Sequence, residues 1–156
     1  MFKTISIILL FVSILSSCSD EKRLHVGVRE SRLTPCPESP NCVSSQGSDS
    51  AHTVAPLTYE TEAGKVITDL KVVVGSMKGA TIASESAAYL HVEFQSDVFR
   101  FIDDVDFVVD DAVKVVHVRS ASRVGYYDFG VNRRRVEKIR QAWNQKKSYN
   151  KQESTL

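Results

Sequence analysis

Three groups of polar residues are dense enough to do chemistry. Asp103, Asp104 and Asp106 crowd three carboxylates together between FRFI at residues 99–102 and an apolar run. Arg119 and Arg123 bracket RSASR, and because a strand alternates its side chains, their even separation puts both on one face, roughly 14 Å apart. Arg133, Arg134 and Arg135 stand where a final helix is expected to begin, the end at which the helix dipole favours anions. Cations placed there call for a negative partner, either nearby aspartates or a bound anion.

The expectation is that Asp103, Asp104, Arg119, Arg123, Asp128, Arg133 and Arg135 converge on one site. Two readings of that site stand side by side. It is a structural network locking the strand ends to the last helix, or it binds a carboxylate, phosphate or lipid headgroup, because guanidinium forks grip oxyanions with two parallel bonds. The aspartates alone suggest a hard cation such as Ca²⁺, but the glycine and distal glutamate of a dedicated loop are missing, and neither a metal nor a cofactor is assigned. A small envelope hydrolase or transferase would use Ser120 or Ser122 with His91 or His117 and an aspartate. It lacks a G-x-S-x-G elbow, so no catalytic residue is assigned. His91 and His117 facing each other across neighbouring strands is the plainer account of the histidines. Phe99, Phe101, Phe107, Tyr126 and Tyr127 read as core or rim.

Something must hold these residues in place. Ala63, Val66, Ile67, Leu70, Val73, Val74 and Met77 recur at three- and four-residue steps, which predicts a helix of about 16 residues from Glu60, capped by Thr58 or Thr61 and ended before Gly79. The period then drops to two. Leu90, Val92 and Phe94 face one way and Tyr89, His91 and Glu93 the other; Phe99 and Phe101, then Val105, Phe107 and Val109, then Val113, Val115 and His117 mark further strands. The links between them are read at residues 95–97, at Asp103-Asp104 and at Asp110-Asp111. Spacing this tight leaves no room for crossover helices, so the fold class is α+β: an antiparallel sheet of about four to five strands with two helices packed on it. The second helix is expected to start near Asn132, a good cap, and to bury Val136, Ile139, Ala142 and Trp143.

With 156 residues, 42% hydrophobic and 25% charged, the chain holds one small domain, and a net charge of +1 argues against nucleic acid as a partner. Lys3 precedes the unbroken apolar stretch ISIILLFVSIL at residues 5–15. A membrane-spanning helix needs about 20 apolar residues, so this stretch reads as an export signal. Leu15-Ser16-Ser17-Cys18 follows and resembles the bacterial lipobox, which makes Cys18 the acylated first residue of the mature chain and the membrane its partner. Ser19, where an inner-membrane signal would place Asp, points to the outer membrane, although Asp20 is one place away. The expectation is a periplasmic, lipid-anchored protein. Cys36 and Cys42, left over once Cys18 is acylated, should pair in an oxidising compartment. The organisation is then a signal peptide at 1–17, a tether at 18–34, one α+β domain at 35–145 and a flexible basic tail at 146–156.

PCPESPNCVSS at 35–45, FIDDVDF at 101–107 and RSASRVGYYDFGVNRRRVEKIR at 119–140, in that order, resemble the bacterial and plastid family of domains of unknown function numbered fourteen ninety-nine, over about residues 33–143. The family brings no established activity. The resemblance implies that these three segments, with Gly125, Asp128 and Asn132, form one unit; its members are often exported or organelle proteins, in agreement with the export signal. The function expected is a non-enzymatic envelope lipoprotein that binds an anionic small molecule, lipid headgroup or envelope protein.

Overall fold

The computed structural model describes residues 28–29 and 32–153. The signal segment, Cys18 and most of the tether lie outside the described residues. Among the described residues no helix is long and apolar enough to cross a membrane.

Period-two segments build one antiparallel sheet of six strands. These are β3 (Cys42–Ser44), β4 (Leu57–Thr58), β5 (Ala80–Glu85), β6 (Tyr89–Gln95), β7 (Ile102–Asp110) and β8 (Val115–Ser122), in the order β3-β8-β7-β6-β5, with β4 also beside β8. A short ribbon, β1 (Val28–Arg29) with β2 (Arg32–Leu33), precedes them. Val92 lies opposite Val105, and Phe107 opposite Val118. Side chains alternate, so this register gathers Leu90, Val92, Phe94, Val105, Phe107, Val116 and Val118 on one face. That face receives Val66, Ile67, Leu70, Val73 and Val74 of α1 (Ala63–Gly75) and Val136, Ile139 and Trp143 of α2 (Val131–Glu153). Each such side chain, taken fully out of water, contributes roughly 1.5–3 kcal/mol. The fold class is α+β with two helices on one face of an open antiparallel sheet.

Several details depart from expectation. Helix α1 is 13 residues long, and its N-cap is Glu62, which makes no side-chain cap bond. Thr58 is committed to β4, where its carbonyl accepts from Trp143 Nε1 at 2.9 Å. Gly79 follows with φ +78°, and a Cβ there would collide with the Gln95 carbonyl. Asp103-Asp104 is no link but the interior of β7; Phe99 and Val113 sit exposed in turns. Carboxylates can occupy a strand when both faces supply donors, and here they do.

The cap of α2 is Asp128, not Asn132. Its Oδ1 accepts from the Gly130 N–H and its Oδ2 from the Asn132 N–H, both at 2.8 Å, and so satisfies donors that have no partner within the helix. The helix runs on to Glu153, through the segment expected to be a flexible tail. Asp69 on α1 holds that stretch, pairing with Lys146 at 3.5 Å and accepting from Asn150 Nδ2 at 3.3 Å.

The second face of the sheet is partly covered by the ribbon. Leu33 is buried, and its N–H donates to Gln46 Oε1 at 2.9 Å. Packing therefore takes in residues assigned from sequence to the tether. Cys36 and Cys42 form a disulfide, with Cys42 opposite Ala121 in the sheet.

Candidate functional site

Even-numbered residues of β7 and odd-numbered residues of β8 point to the face away from the helices, and that face carries buried charged groups, Asp104, Asp106 and Arg119 among them. Arg123, just beyond β8, forks onto Asp104, with Nε to Oδ2 at 2.8 Å and Nη2 to Oδ1 at 2.7 Å, and it also bonds Glu93. His91 Nε2 lies 2.7 Å from Asp104 Oδ1. Burial alone would raise the Asp104 carboxyl, but the bonds from His91 and Arg123 overcome it and hold the group below the usual carboxylate range. An ionised Asp104 can only accept, so His91 donates. The bond to Asp104 in turn raises the Arg123 guanidinium.

One step further along the same face the balance reverses. Asp106 and Arg119 are fully buried and meet at only 3.4 Å, Nη1 to Oδ2, while Arg119 Nε has no partner among the described residues. Tyr89 OH donates to Asp106 Oδ1 at 2.7 Å. Burial raises the Asp106 carboxyl despite Tyr89 and Arg119, and burial lowers the Arg119 guanidinium.

Asp103 projects through the opposite face. Its Oδ2 accepts from Arg135 Nη2, whose guanidinium carbon stacks 5.0 Å from the centre of the Phe94 ring. Arg135 Nη1 also reaches Asn132 Oδ1 and Ser120 Oγ. Buried Asn132 further accepts from Ser120 Oγ at 2.6 Å and donates to the Asn41 carbonyl and Ser122 Oγ. Arg133 donates to the carbonyls of Thr53 and Ala51, and Arg134 to that of Phe129.

The seven residues expected to converge are thus sorted into separate places. Arg123 and Asp104 form one cluster, with Arg119 beside it on the same face. Arg135 and Asp103 form a second cluster behind the sheet. Asp128 caps a helix, and Arg133 binds backbone. Strand alternation is the reason: neighbours in sequence cannot share a face.

The same parity bears on the other readings. Asp103 is separated from Asp104 and Asp106 by the sheet, so the three carboxylates do not gather around one cation. His91, Glu93 and Asp104 do bring ligand atoms within 4.8 Å of one another, and the cation among them is the guanidinium of Arg123. His91 and His117 do not face each other, because β7 lies between β6 and β8. Ser120 and Ser122 lie on the helix side, away from both histidines.

One pair escaped the sequence reading. Ser45 Oγ lies 3.2 Å from His117 Nδ1, with Asp110 Oδ2 3.9 Å from the other ring nitrogen. The residues are 72 positions apart, and no local pattern announces the contact. A cleft of about 560 Å³ lies elsewhere, between the start of α1 and the far half of α2, lined by Tyr59, Lys65, Asp69, Trp143, Lys146 and Lys147 among others; none of the arginines borders it.

A family model described as "Protein of unknown function (DUF1499)" matches residues 32–143. No curated protein and no solved structure matches the chain.

Proposed function

We propose that this chain, which belongs to the DUF1499 family of proteins of unknown function, is a periplasmic lipoprotein, acylated at Cys18 and held at the outer membrane, whose domain binds an anionic partner without chemistry on it. One observation carries the binding reading. Arg119, Arg123 and Arg135 are neutralised inside the fold, whereas Arg133 and Arg134, in the first turn of α2, bond only backbone carbonyls among the described residues. Two cations at the positive end of a 23-residue helix, without a carboxylate partner among the described residues, favour an external anion. The anchor reading is supported by the Leu15-Ser16-Ser17-Cys18 box after an apolar segment too short to span.

The test has two arms. Cys18→Ser should abolish lipidation and release the protein from membranes; a variant still processed at the same bond and still pelleting with membranes refutes the anchor. Phosphate, sulfate or glycerol phosphate should raise the melting temperature of the parent, less so at high salt, and not that of Arg133→Gln/Arg134→Gln. A parent indifferent to all three anions refutes the binding site.

A second reading, a small hydrolase, rests on Ser45 and His117. Ser45 Oγ also accepts from the Val118 N–H at 2.9 Å, and Asp110 stands beyond hydrogen-bond distance. Labelling of Ser45 by a serine-directed phosphonate would favour it over the binding reading.

A further inference from the structure

The loops at residues 96–101 and 123–130 leave the same end of the sheet side by side, joined by the Arg123 N–H donating to the Ile102 carbonyl at 3.2 Å. Both are aromatic and both are bare. Phe99 and Phe101 stack with ring centres 5.6 Å apart, Tyr126 and Tyr127 meet edge to face at 5.0 Å, and Phe129 is 86% exposed. Val98 and Val124 are exposed among them. Small domains seldom present so many large apolar side chains at one end without a use for them.

The backbone adds a second, independent cost. Arg100 and Phe129, one in each loop, adopt left-handed φ values of +57° and +53°, where glycine or asparagine would sit with less strain. A phenylalanine that is both strained and in water contributes nothing to the core. The loops are nevertheless firmly backed. The Gly125 carbonyl accepts from Asn41 Nδ2, the Cys36–Cys42 disulfide lies beside β8 at this end, and Asp128 pins the second loop to α2.

Charge selects the occupant. The carboxylates of these loops are engaged: Asp97 pairs with Lys78 at 2.7 Å, and Asp128 faces backbone N–H groups. Arg100 and Arg134 have no carboxylate partner among the described residues, and Arg134 folds back onto the Phe129 carbonyl. Exposed Phe and Tyr beside these two arginines match the interface of an anionic bilayer, where amphipathic rings settle at headgroup depth and arginines meet phosphates.

We infer that this aromatic end seats in the interfacial zone of a membrane containing anionic phospholipid, orienting the domain on the surface that anchors it. The inference deepens the lipoprotein reading and rests on it for its location. The tether allows it. Val28 lies opposite Leu33, three residues before the disulfide, and the ten residues from Cys18 to Val28 span roughly 35 Å when extended, about the width of the domain.

The test uses the processed full chain carrying a nitroxide at Phe99→Cys, at Tyr127→Cys or, as a control in the turn at the other end of the sheet, at Val113→Cys, reconstituted into vesicles. Mass spectrometry of the Cys18 peptide reads the anchor separately. On phosphatidylethanolamine vesicles containing phosphatidylglycerol, labels at 99 and 127 should lose collisions with a water-soluble nickel chelate and gain collisions with oxygen, while the label at 113 stays in water. Removing the anchor by Cys18→Ser and measuring vesicle binding directly, each of Arg100→Gln and Arg134→Gln should weaken affinity by roughly fivefold. Labels at 99 and 127 as accessible to nickel as the label at 113, in a chain whose Cys18 is acylated, overturn the inference while leaving the anchor intact. Labels already shielded without vesicles overturn it too, in favour of a second protein surface. An unacylated Cys18 with protected labels overturns the anchor alone.

Discussion

Asp103 and Asp104 are adjacent in the chain and face opposite sides of β7, Asp103 bonded to Arg135 beneath the helices and Asp104 to Arg123 and His91 on the other face. Two carboxylates near the start of one strand thereby clamp it from both sides. One ties the sheet to α2, and the other ties β6 to the segment that follows β8.

Asp104 should govern part of the acid response. Its carboxyl titrates below the usual range when folded, so the stability it confers is complete above the unfolded value of about 3.9 and is lost as pH falls through the folded one. Asp106, raised by burial, works in the opposite sense: its contribution falls as pH rises from the unfolded value through the raised folded one. The difference between parent and Asp104→Asn is therefore the informative quantity. Asp104→Asn should cost about 1–2 kcal/mol at neutral pH, and the gap should narrow as pH falls from about 5 through the lowered folded value. Urea unfolding across that range checks it; a gap that stays constant would show that Asp104 is not held ionised by its partners.

Asn132 should be among the least replaceable polar residues. Its amide uses the full capacity of the group, accepting from Ser120 and Arg135 and donating to Asn41 and Ser122 in a fully buried position. Asn132→Ala strands several of these partners at once and should cost about 3 kcal/mol. Asn132→Asp should fail similarly, because it turns a carboxylate oxygen toward the Asn41 carbonyl. A loss under about 1 kcal/mol in chemical denaturation would mean that water replaces the amide.

The stripe from Ala63 to Met77 and the alternation of β6 were legible because apolar periodicity is a local signal and burial follows it. Strand β7 was misread at Asp103-Asp104 because a charged pair looks like a solvent link unless its partners are known. Those partners, Arg123 and Arg135, are 19 and 32 positions away. Parity rightly put Arg119 and Arg123 on one face; applied to Asp103 and Asp104 it would also have split the expected site in two. Past Lys146, α2 meets Asp69 of α1, and the Ser45–His117 contact is made by strand pairing, so neither is written in its own neighbourhood.

The disulfide should matter for stability. Cys36 and Cys42 close a short loop, six positions apart, beside the end of β8. By the chain-entropy account, losing the bond should cost about 2 kcal/mol and lower the melting temperature by roughly 8 °C. Alkylation without reduction should label neither thiol in the folded protein. An unchanged melting temperature in Cys36→Ser/Cys42→Ser would mean that the unfolded loop, with prolines at 37 and 40, is already constrained.

The buried pair Asp106–Arg119 is expected to be a net cost to stability. Both groups are pushed toward neutrality by burial, their contact is long at 3.4 Å, and Arg119 Nε has no acceptor among the described residues. The attraction therefore falls short of the desolvation it must offset. Removing one partner still does harm, because the survivor is left charged and alone: Asp106→Asn or Arg119→Met should each cost about 3–5 kcal/mol. Removing both should not. Asp106→Leu/Arg119→Met, with Tyr89→Phe added because Tyr89 OH loses its acceptor, should regain the parent's stability or exceed it by about 1–4 kcal/mol. A double-mutant cycle on unfolding free energies reads the coupling directly. If the combined variant is as unstable as the sum of the single losses, the pair holds the fold together; if stability returns, the pair is the net cost its burial implies.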